Sequence, residues 1–463
     1  MAMSSGLWIA IALYFFISLA ISWWASKRIA GQADYLVAGR QLGLVLVSGS
    51  LFATWFGAET IMGSGASVAE VGLSGGRADP FGYTLCLVGM AFLIAYKMRA
   101  RNYMTLGDFF RERYGRLVEL LAVLIMIPTS IMWAAAQLLA LGEVITVVAP
   151  VEIESALLVS LVVVVLYTTL GGLLGDAIND LFHETVVVIG LLLLLVFVFV
   201  AAGGFDAGIA SITPEQLRFA DPEEGMLSRL DAWAVPIVGS LVAQEAISRF
   251  LGAKTPSIAR NACFVAAGIY FVVGLIPVAV ALIGSHLDLG LAYDDTFLPL
   301  LAKELMPPIL FVFFAGALVS AILSTVDSTL LAVSALATRN ILDPMVPWMS
   351  DDQRLLNARI VTALAGVAAY IIATGSDSVY ELVSTASSYG TAGIAVTVVV
   401  GLWSGLGGPR AALAALVAGL TGTIVFGAVY GDAAFLLSLV LAAAAFFAVA
   451  YCERRAPLPA RAR

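Results

Sequence analysis

VLVSGSLFATWFGAETIMGSGASV, residues 45–68, is long and apolar enough to cross a bilayer, yet it does not read as an ordinary span. Small or polar residues interrupt it at Ser48-Gly49-Ser50, at Ala53-Thr54-Trp55-Phe56-Gly57-Ala58-Glu59 and at Gly63-Ser64-Gly65, and a carboxylate, Glu59, stands in the middle. In hydrocarbon a helix satisfies its own backbone, and irregular backbone is tolerated only where protein buries it or a cavity takes it up. The stretch therefore predicts a helix broken at residues 53–59, inside a bundle of other helices.

The rest of the chain supplies that bundle. Of 463 residues 61% are hydrophobic and only 12% charged, too little polar surface for a soluble domain of this size. The apolar runs have the length of membrane helices, and the alternating ten-residue segments of an outer-membrane barrel are absent. The expected fold class is an all-α polytopic membrane protein of thirteen transmembrane helices, at 7–26, 45–68, 81–97, 118–147, 154–172, 180–202, 233–250, 261–284, 308–337, 359–374, 379–402, 410–429 and 433–451. With the N-terminus outside and the C-terminus inside, 20 of the 24 Lys and Arg residues fall on the inner side. Only Arg77, Arg218, Arg229 and Lys303 fall outside, as the positive-inside rule requires. The first run lacks a basic leader and a cleavage pattern before Lys27 and reads as a retained span. Three scattered cysteines and two histidines argue against disulfides and a histidine metal centre. The net charge of −8 says little about partners. The expected partners are the lipid bilayer, a small-molecule solute and a coupling ion, with no nucleic acid.

The organisation expected is a single transmembrane domain over 1–463. An extra N-terminal helix (7–26) precedes two inverted five-helix repeats (45–202 and 233–402), and two C-terminal helices (410–451) follow, an arrangement common among secondary transporters. Each repeat then begins with a broken helix, the second one at Pro236, Gly239 and Gln244-Glu245. The segment 98–117, whose main part is MTLGDFFRERYGR, reads as a short amphipathic helix at the interface.

A charged group in mid-membrane marks function by default. The ninth span carries Ser320, Ser324, Thr325, Asp327, Ser328 and Thr329, hard oxygen ligands suited to a small hard cation. Ala321 shares a face with Ser324 and offers a carbonyl if the helix is disturbed there. A lone Ser would be read as bonding back to its own helix; for this cluster the ion-site reading prevails. Asp180 is the expected partner of these oxygens, while Asp176 reads as a solvated loop residue. His183 and Glu184 read as an interfacial pair in preference to a proton relay. Glu245 and Arg249 read as an i,i+4 pair at the inner end of the seventh span. Glu59 either faces a solute cavity or bonds unwound backbone, and both readings stand. Trp55, Tyr83 and Trp133 fall mid-membrane near the break. Such aromatics are more often filler than a cage, but three together suit a π-lined pocket for an organic cation.

These residues resemble the sodium:solute symporter family over nearly the whole chain. Asp34-Tyr35-Leu36-Val37-Ala38-Gly39-Arg40 resembles the family's signature before the first broken helix, the run from Ala321 to Ser328 its sodium-binding helix, and Gly171-Gly172 followed by Asp180 its fifth core helix. The resemblance implies the inverted-repeat fold of the amino acid transporters, with two broken helices. It also implies a Na+ site formed by Ala53, Phe56, Ala321, Ser324 and Thr325, and in some members a second cation site, here Asp180, Asp327 and Ser328 beside Ser324. Within the family, Ala53-Thr54-Trp55, Phe81-Gly82-Tyr83, Met132-Trp133-Ala134 and the stretch 334–341 are similar to the high-affinity choline transporter branch. Trp55, Tyr83 and Trp133 match aromatic residues of that branch's choline cage. Ala243, just before Gln244, stands where the branch has a Trp, and Glu59 where it has Gly.

The expectation is a sodium-coupled symporter in the plasma (inner) membrane, importing a small solute such as an amine or organic cation by alternating access. Its solute-binding residues would be Trp55, Glu59, Tyr83, Trp133 and Gln244. The rivals are a proton-coupled symporter of an amino acid or other polar solute, acting through Glu59, Asp180 and Asp327, and a solute sensor that does not transport. Gly72-Leu73-Ser74-Gly75-Gly76 fits a hydrolase elbow only formally, in a loop, so no enzyme is expected.

Overall fold

The structure is a computed structural model that describes residues 16–148 and 151–455. Fifteen helices carry the architecture. They are α1 (Phe16–Ser26), α2 (Leu44–Trp55), α3 (Ser64–Val71), α4 (Tyr83–Met90), α5 (Arg116–Val148), α6 (Ile153–Ala201), α7 (Met226–Ala234), α8 (Gln244–Leu251), α9 (Pro256–Gly284), α10 (Pro308–Ala337), α11 (Asp351–Ala373), α12 (Val379–Ser388), α13 (Thr391–Trp403), α14 (Pro409–Tyr430) and α15 (Ala434–Arg455). Eight helices among the described residues are long and apolar enough to cross a membrane, or up to eleven if each bent pair is one span. Thirteen were expected. The difference lies in the fifth and sixth spans, which meet at the Gly172 kink with no loop between them and so count as one, and in the first, of which residues 7–15 lie outside the described residues.

α6 runs 49 residues without a loop because the turn between its halves is made by one residue. Gly172 adopts φ 54° and ψ −170°, a region open essentially to glycine alone. A Cβ there would meet the Tyr35 ring at 2.8 Å and the Tyr35 carbonyl at 2.9 Å. Gly171 and Gly175 present a bare strip on which α1 lies, against Ser22 and Ala25.

Three spans are bent at breaks: α2 with the segment from Glu59 through α3 by 54°, the segment Met226–Val242 with α8 by 46°, and α12 with α13 by 45°. The first two are where small and polar residues predicted them. The third, at Gly390 (φ 68°), had not been expected. α10 passes through the centre: 72% of its most apolar window is buried, against 28% for α11, α14 and α15, which face outward. The expected helix in 98–117 is Leu106–Tyr114, capped by the Thr105 hydroxyl, which accepts from Asp108 N–H at 3.2 Å. It buries Leu106, Phe109, Phe110 and Tyr114 rather than lying loosely at a surface.

Candidate cation and solute site

The break after α2 frees backbone groups, and each freed group shown here finds a partner, as buried polar groups must. Phe56 leaves the helical region (φ −81°, ψ 64°). The next free donor, Ala58 N–H, bonds to Gln137 Oε1 at 3.1 Å from α5. Near the Trp55 carbonyl stand Thr60 Oγ1 at 3.1 Å and the Tyr270 hydroxyl at 3.2 Å. The Ala53 carbonyl turns toward α10, with Thr325 Oγ1 at 3.3 Å and Ser324 Oγ at 3.5 Å. The same two hydroxyls lie 2.8 Å (Ser324) and 3.3 Å (Thr325) from the Ala321 carbonyl.

Four oxygens from two helices thus converge: Ala53 O, Ala321 O, Ser324 Oγ and Thr325 Oγ1. The Thr325 hydroxyl also lies against Gly57, the residue after Phe56, where an added Cβ would meet it at 2.5 Å. Neutral hard oxygens fit a small hard cation.

Beside this cluster stands an aromatic group. The Trp55 and Tyr83 rings are 5.4 Å apart, Tyr83 and Trp133 6.2 Å, and Tyr83 and Tyr270 6.4 Å. The Tyr83 hydroxyl donates to Glu59 Oε1 at 2.8 Å. Glu59 therefore faces a cavity rather than capping unwound backbone. It forms part of the wall of a cavity of about 350 Å³ shared with Arg77, Glu224, Asp231, Tyr380 and Phe435. Arg77 and Glu224 form an ion pair there, 2.6 Å apart.

A second carboxylate went unnoticed in the sequence. Asp79 is buried, accepts from Thr60 Oγ1 at 2.9 Å and from the Tyr270 hydroxyl, and its charge acts on Glu59. Glu59 Oε2, Asp79 Oδ2 and Trp55 Nε1 are buried with no hydrogen-bond partner.

Gln244 is not part of this group. Its Oε1 accepts from Leu106 N–H at 2.8 Å and its Nε2 donates to Ser248 Oγ at 2.8 Å, so it ties the break before α8 to the helix 106–114. It lines a separate crevice with Ser240, Glu245 and one side of Trp133.

Three expectations are corrected. Asp176 is not a solvated loop residue: it is buried and ion-paired with Arg249. Arg249 does not pair with Glu245; its fully buried guanidinium reaches from α8 to α6 and α10, while Glu245 accepts from Ser130 at 3.2 Å. His183 and Glu184 are not interfacial, because the joined helix α6 buries both, with His183 3.0 Å from Ser18 Oγ of α1. Asp180, Asp327 and Ser328 do come together, around the same guanidinium. Arg249 Nη2 bonds to Ser328 Oγ and stands 3.8 Å from Asp180, and Asp327 is close enough for the Arg249 charge to act on it.

With this geometry in view, the chain compares as follows with known proteins. Residues 35–419 match the profile of the sodium:solute symporter family. The human high affinity choline transporter 1 is 28% identical over 399 residues, covering 81% of this chain and 68% of the transporter. Sodium/proline symporter 2 of Staphylococcus saprophyticus is 25% identical, covering 90% and 85%. A Na+-coupled sialic acid symporter, solved substrate-bound and outward-open, superposes with a TM-score of 0.83 at 15% identity, covering 96% of this chain and 97% of its own. Mhp1, a nucleobase-cation-symport-1 family transporter, gives 0.63 at 14% identity, covering 94% and 98%. The last two comparisons establish the fold.

Proposed function

The chain belongs to the sodium:solute symporter family, and we propose that it is a sodium-coupled importer of a primary or secondary amine. Transport, not catalysis, is what the family and these relatives do. In this reading Na+ is held by the carbonyls of Ala53, Phe56 and Ala321 and the hydroxyls of Ser324 and Thr325. The solute lies against Trp55, Tyr83 and Trp133 with its ammonium on Glu59. The face rich in Lys and Arg is cytoplasmic, the membrane is the plasma (inner) membrane, and the 350 Å³ cavity is the outer approach. The two broken spans are the first helices of inverted halves.

One observation carries the choice of amine: Glu59 Oε2, buried beside the aromatic group and without a partner. A carboxylate oxygen in that state is stabilised by an N–H donor. A quaternary ammonium such as choline has no N–H to give. Arg77, which lines the cavity, is already held by Glu224.

Coupling follows from adjacency. Ala53 and Trp55 lie together in the last turn of α2, immediately before the break, so sodium on the Ala53 carbonyl fixes the backbone that presents the ring. Each ligand then raises the other's affinity by the same factor. The test is a thermal-shift panel of primary, secondary and quaternary amines and amino acids on detergent-purified protein, with Na+ or with N-methylglucamine. Primary or secondary amines should stabilise the protein in Na+ alone, and Glu59→Gln should lose that shift while keeping the shift from Na+. Stabilisation by choline, undiminished in Glu59→Gln, would refute the amine reading.

The pair Glu59 and Asp79 favours one rival, in which a proton is the coupling ion. A pH gradient that drives uptake without sodium would select it.

A further inference from the structure

Two tyrosine hydroxyls hold two buried carboxylates in the same way. Tyr83 donates to Glu59 Oε1 at 2.8 Å, and the Tyr270 hydroxyl bonds to Asp79 Oδ1, where Thr60 Oγ1 also stands at 2.9 Å. The two rings are 6.4 Å apart, and the charge of Asp79 acts on Glu59. Glu59 is only 3% exposed and Asp79 1%. In each the second oxygen, Glu59 Oε2 or Asp79 Oδ2, is buried without a hydrogen-bond partner. Among the described residues neither acid has an ion-pair partner, and Arg77, the basic residue of the cavity wall, is held by Glu224. Glu59 and Ala78, the residue before Asp79, both line that cavity.

A buried carboxylate oxygen left unsatisfied is costly, and its strongest partner is an N–H that carries positive charge. One such oxygen asks for one N–H. Two of them, on acids close enough for their charges to interact, ask for a nitrogen with two. A primary or secondary ammonium meets that demand. A tertiary ammonium has one N–H and leaves one of the two oxygens bare, and a quaternary ammonium satisfies neither.

We infer that Asp79 is a second anchor for the solute nitrogen, so that one ammonium donates to Glu59 Oε2 and Asp79 Oδ2 together and the site selects solutes by the number of N–H groups on that nitrogen. The inference rests on the amine reading and goes further by adding a specificity-determining residue and a ranking of amines. The alternative is that Asp79 only holds Tyr270 and Thr60 beside the break, and that Glu59 anchors the solute alone.

The test is calorimetric titration of the purified full chain, in saturating sodium, with two series in which methyl groups replace the nitrogen's hydrogens one at a time. One runs from ethanolamine through its N-methyl and N,N-dimethyl forms to choline, the other from propylamine to trimethylpropylammonium. Two anchors place the largest step in affinity between the second and third members, where the N–H count falls from two to one. That step should be about tenfold or more, the weight of one hydrogen bond to a charged group. In Asp79→Asn the amide oxygen can still face Tyr270 and Thr60, but a donor replaces Oδ2. Losing the negative charge weakens every cation, so the position of the step is the readout, and it should move to between the third and fourth members. A largest step between the third and fourth members in the wild type would overturn the inference and leave the amine reading intact. So would a step that stays between the second and third in a folded Asp79→Asn, which is what crowding by the added methyl would give. Choline bound as tightly as ethanolamine, or no member of either series bound, would overturn the amine reading and the inference with it. If Asp79→Asn does not fold, the position of the step in the wild type decides.

Discussion

Tyr83 donates its hydroxyl to one oxygen of Glu59 and leaves the other oxygen open, so a single carboxylate is both fixed in place and available to a ligand. On the proposed reading Thr325 plays the corresponding part for sodium. Its hydroxyl stands between the Ala53 and Ala321 carbonyls and joins two helices through one oxygen. Thr325→Ala should raise the sodium concentration for half-maximal binding by about tenfold, the ~1.4 kcal/mol that such a factor represents. Thr325→Ser should restore most of it. Titration of sodium-dependent protein stability would check both, and an unchanged midpoint in Thr325→Ala would remove this hydroxyl from the site. At this scale much of the site was legible, because hydroxyls and a carboxylate in mid-span are costly unless they serve something. Asp79 passed unremarked and Arg249 was given the wrong partner for a different reason. Asp79 precedes a proline and Arg249 follows Glu245 by four residues, and both patterns have ordinary local explanations. Only tertiary packing shows that Asp79 turns to Tyr270 and that Arg249 turns away from Glu245.

At the scale of elements, the working parts are breaks rather than helices. The break after α2 keeps its shape because Gln137 takes the Ala58 N–H and because Gly57 leaves room for the Thr325 hydroxyl. Gly57→Ala would put a Cβ 2.5 Å from Thr325 Oγ1 and 2.7 Å from Gln137 Oε1. Either side chain can rotate away, but the first move takes an oxygen from the cation and the second frees a backbone donor. Sodium-dependent uptake should fall at least tenfold while the protein still inserts and folds; near-normal uptake would mean that the break tolerates a side chain. Gly172→Ala acts differently. It forces alanine into a glycine-only conformation, at about 1–3 kcal/mol, and against Tyr35. A lower melting temperature with unchanged sodium affinity is expected, and a shifted sodium midpoint would contradict that division. The breaks in the second and seventh spans were legible as Gly, Ser and Pro within apolar runs. The direct passage from the fifth span to the sixth at Gly172, with no loop, was not, because Gly171-Gly172 also reads as the start of a loop. Nor was the bend at Gly390, because the small and hydroxyl residues before it, Ser384 to Ser388, also suit ordinary packing of an unbroken membrane helix.

At the scale of the molecule, the central helix α10 serves both ion clusters from one buried surface, with Ser324 and Thr325 facing the Ala53 carbonyl and Asp327 and Ser328 facing Arg249. Charge then governs the direction of transport. On the proposed reading, sodium and a monocationic amine both carry positive charge inward. Each is favoured inward by roughly 2.3 kcal/mol per 100 mV, so the membrane potential contributes as much through the solute as through the ion. The central claim is that sodium drives the solute across. Its most direct test is uptake into proteoliposomes of the amine that gives the largest sodium-dependent thermal shift, with sodium outside only, with sodium equal on both sides, and with none. The account predicts accumulation above equilibrium only with the inward sodium gradient, increased by an inside-negative potential and lost in Glu59→Gln. Accumulation of the same size without any sodium would contradict it.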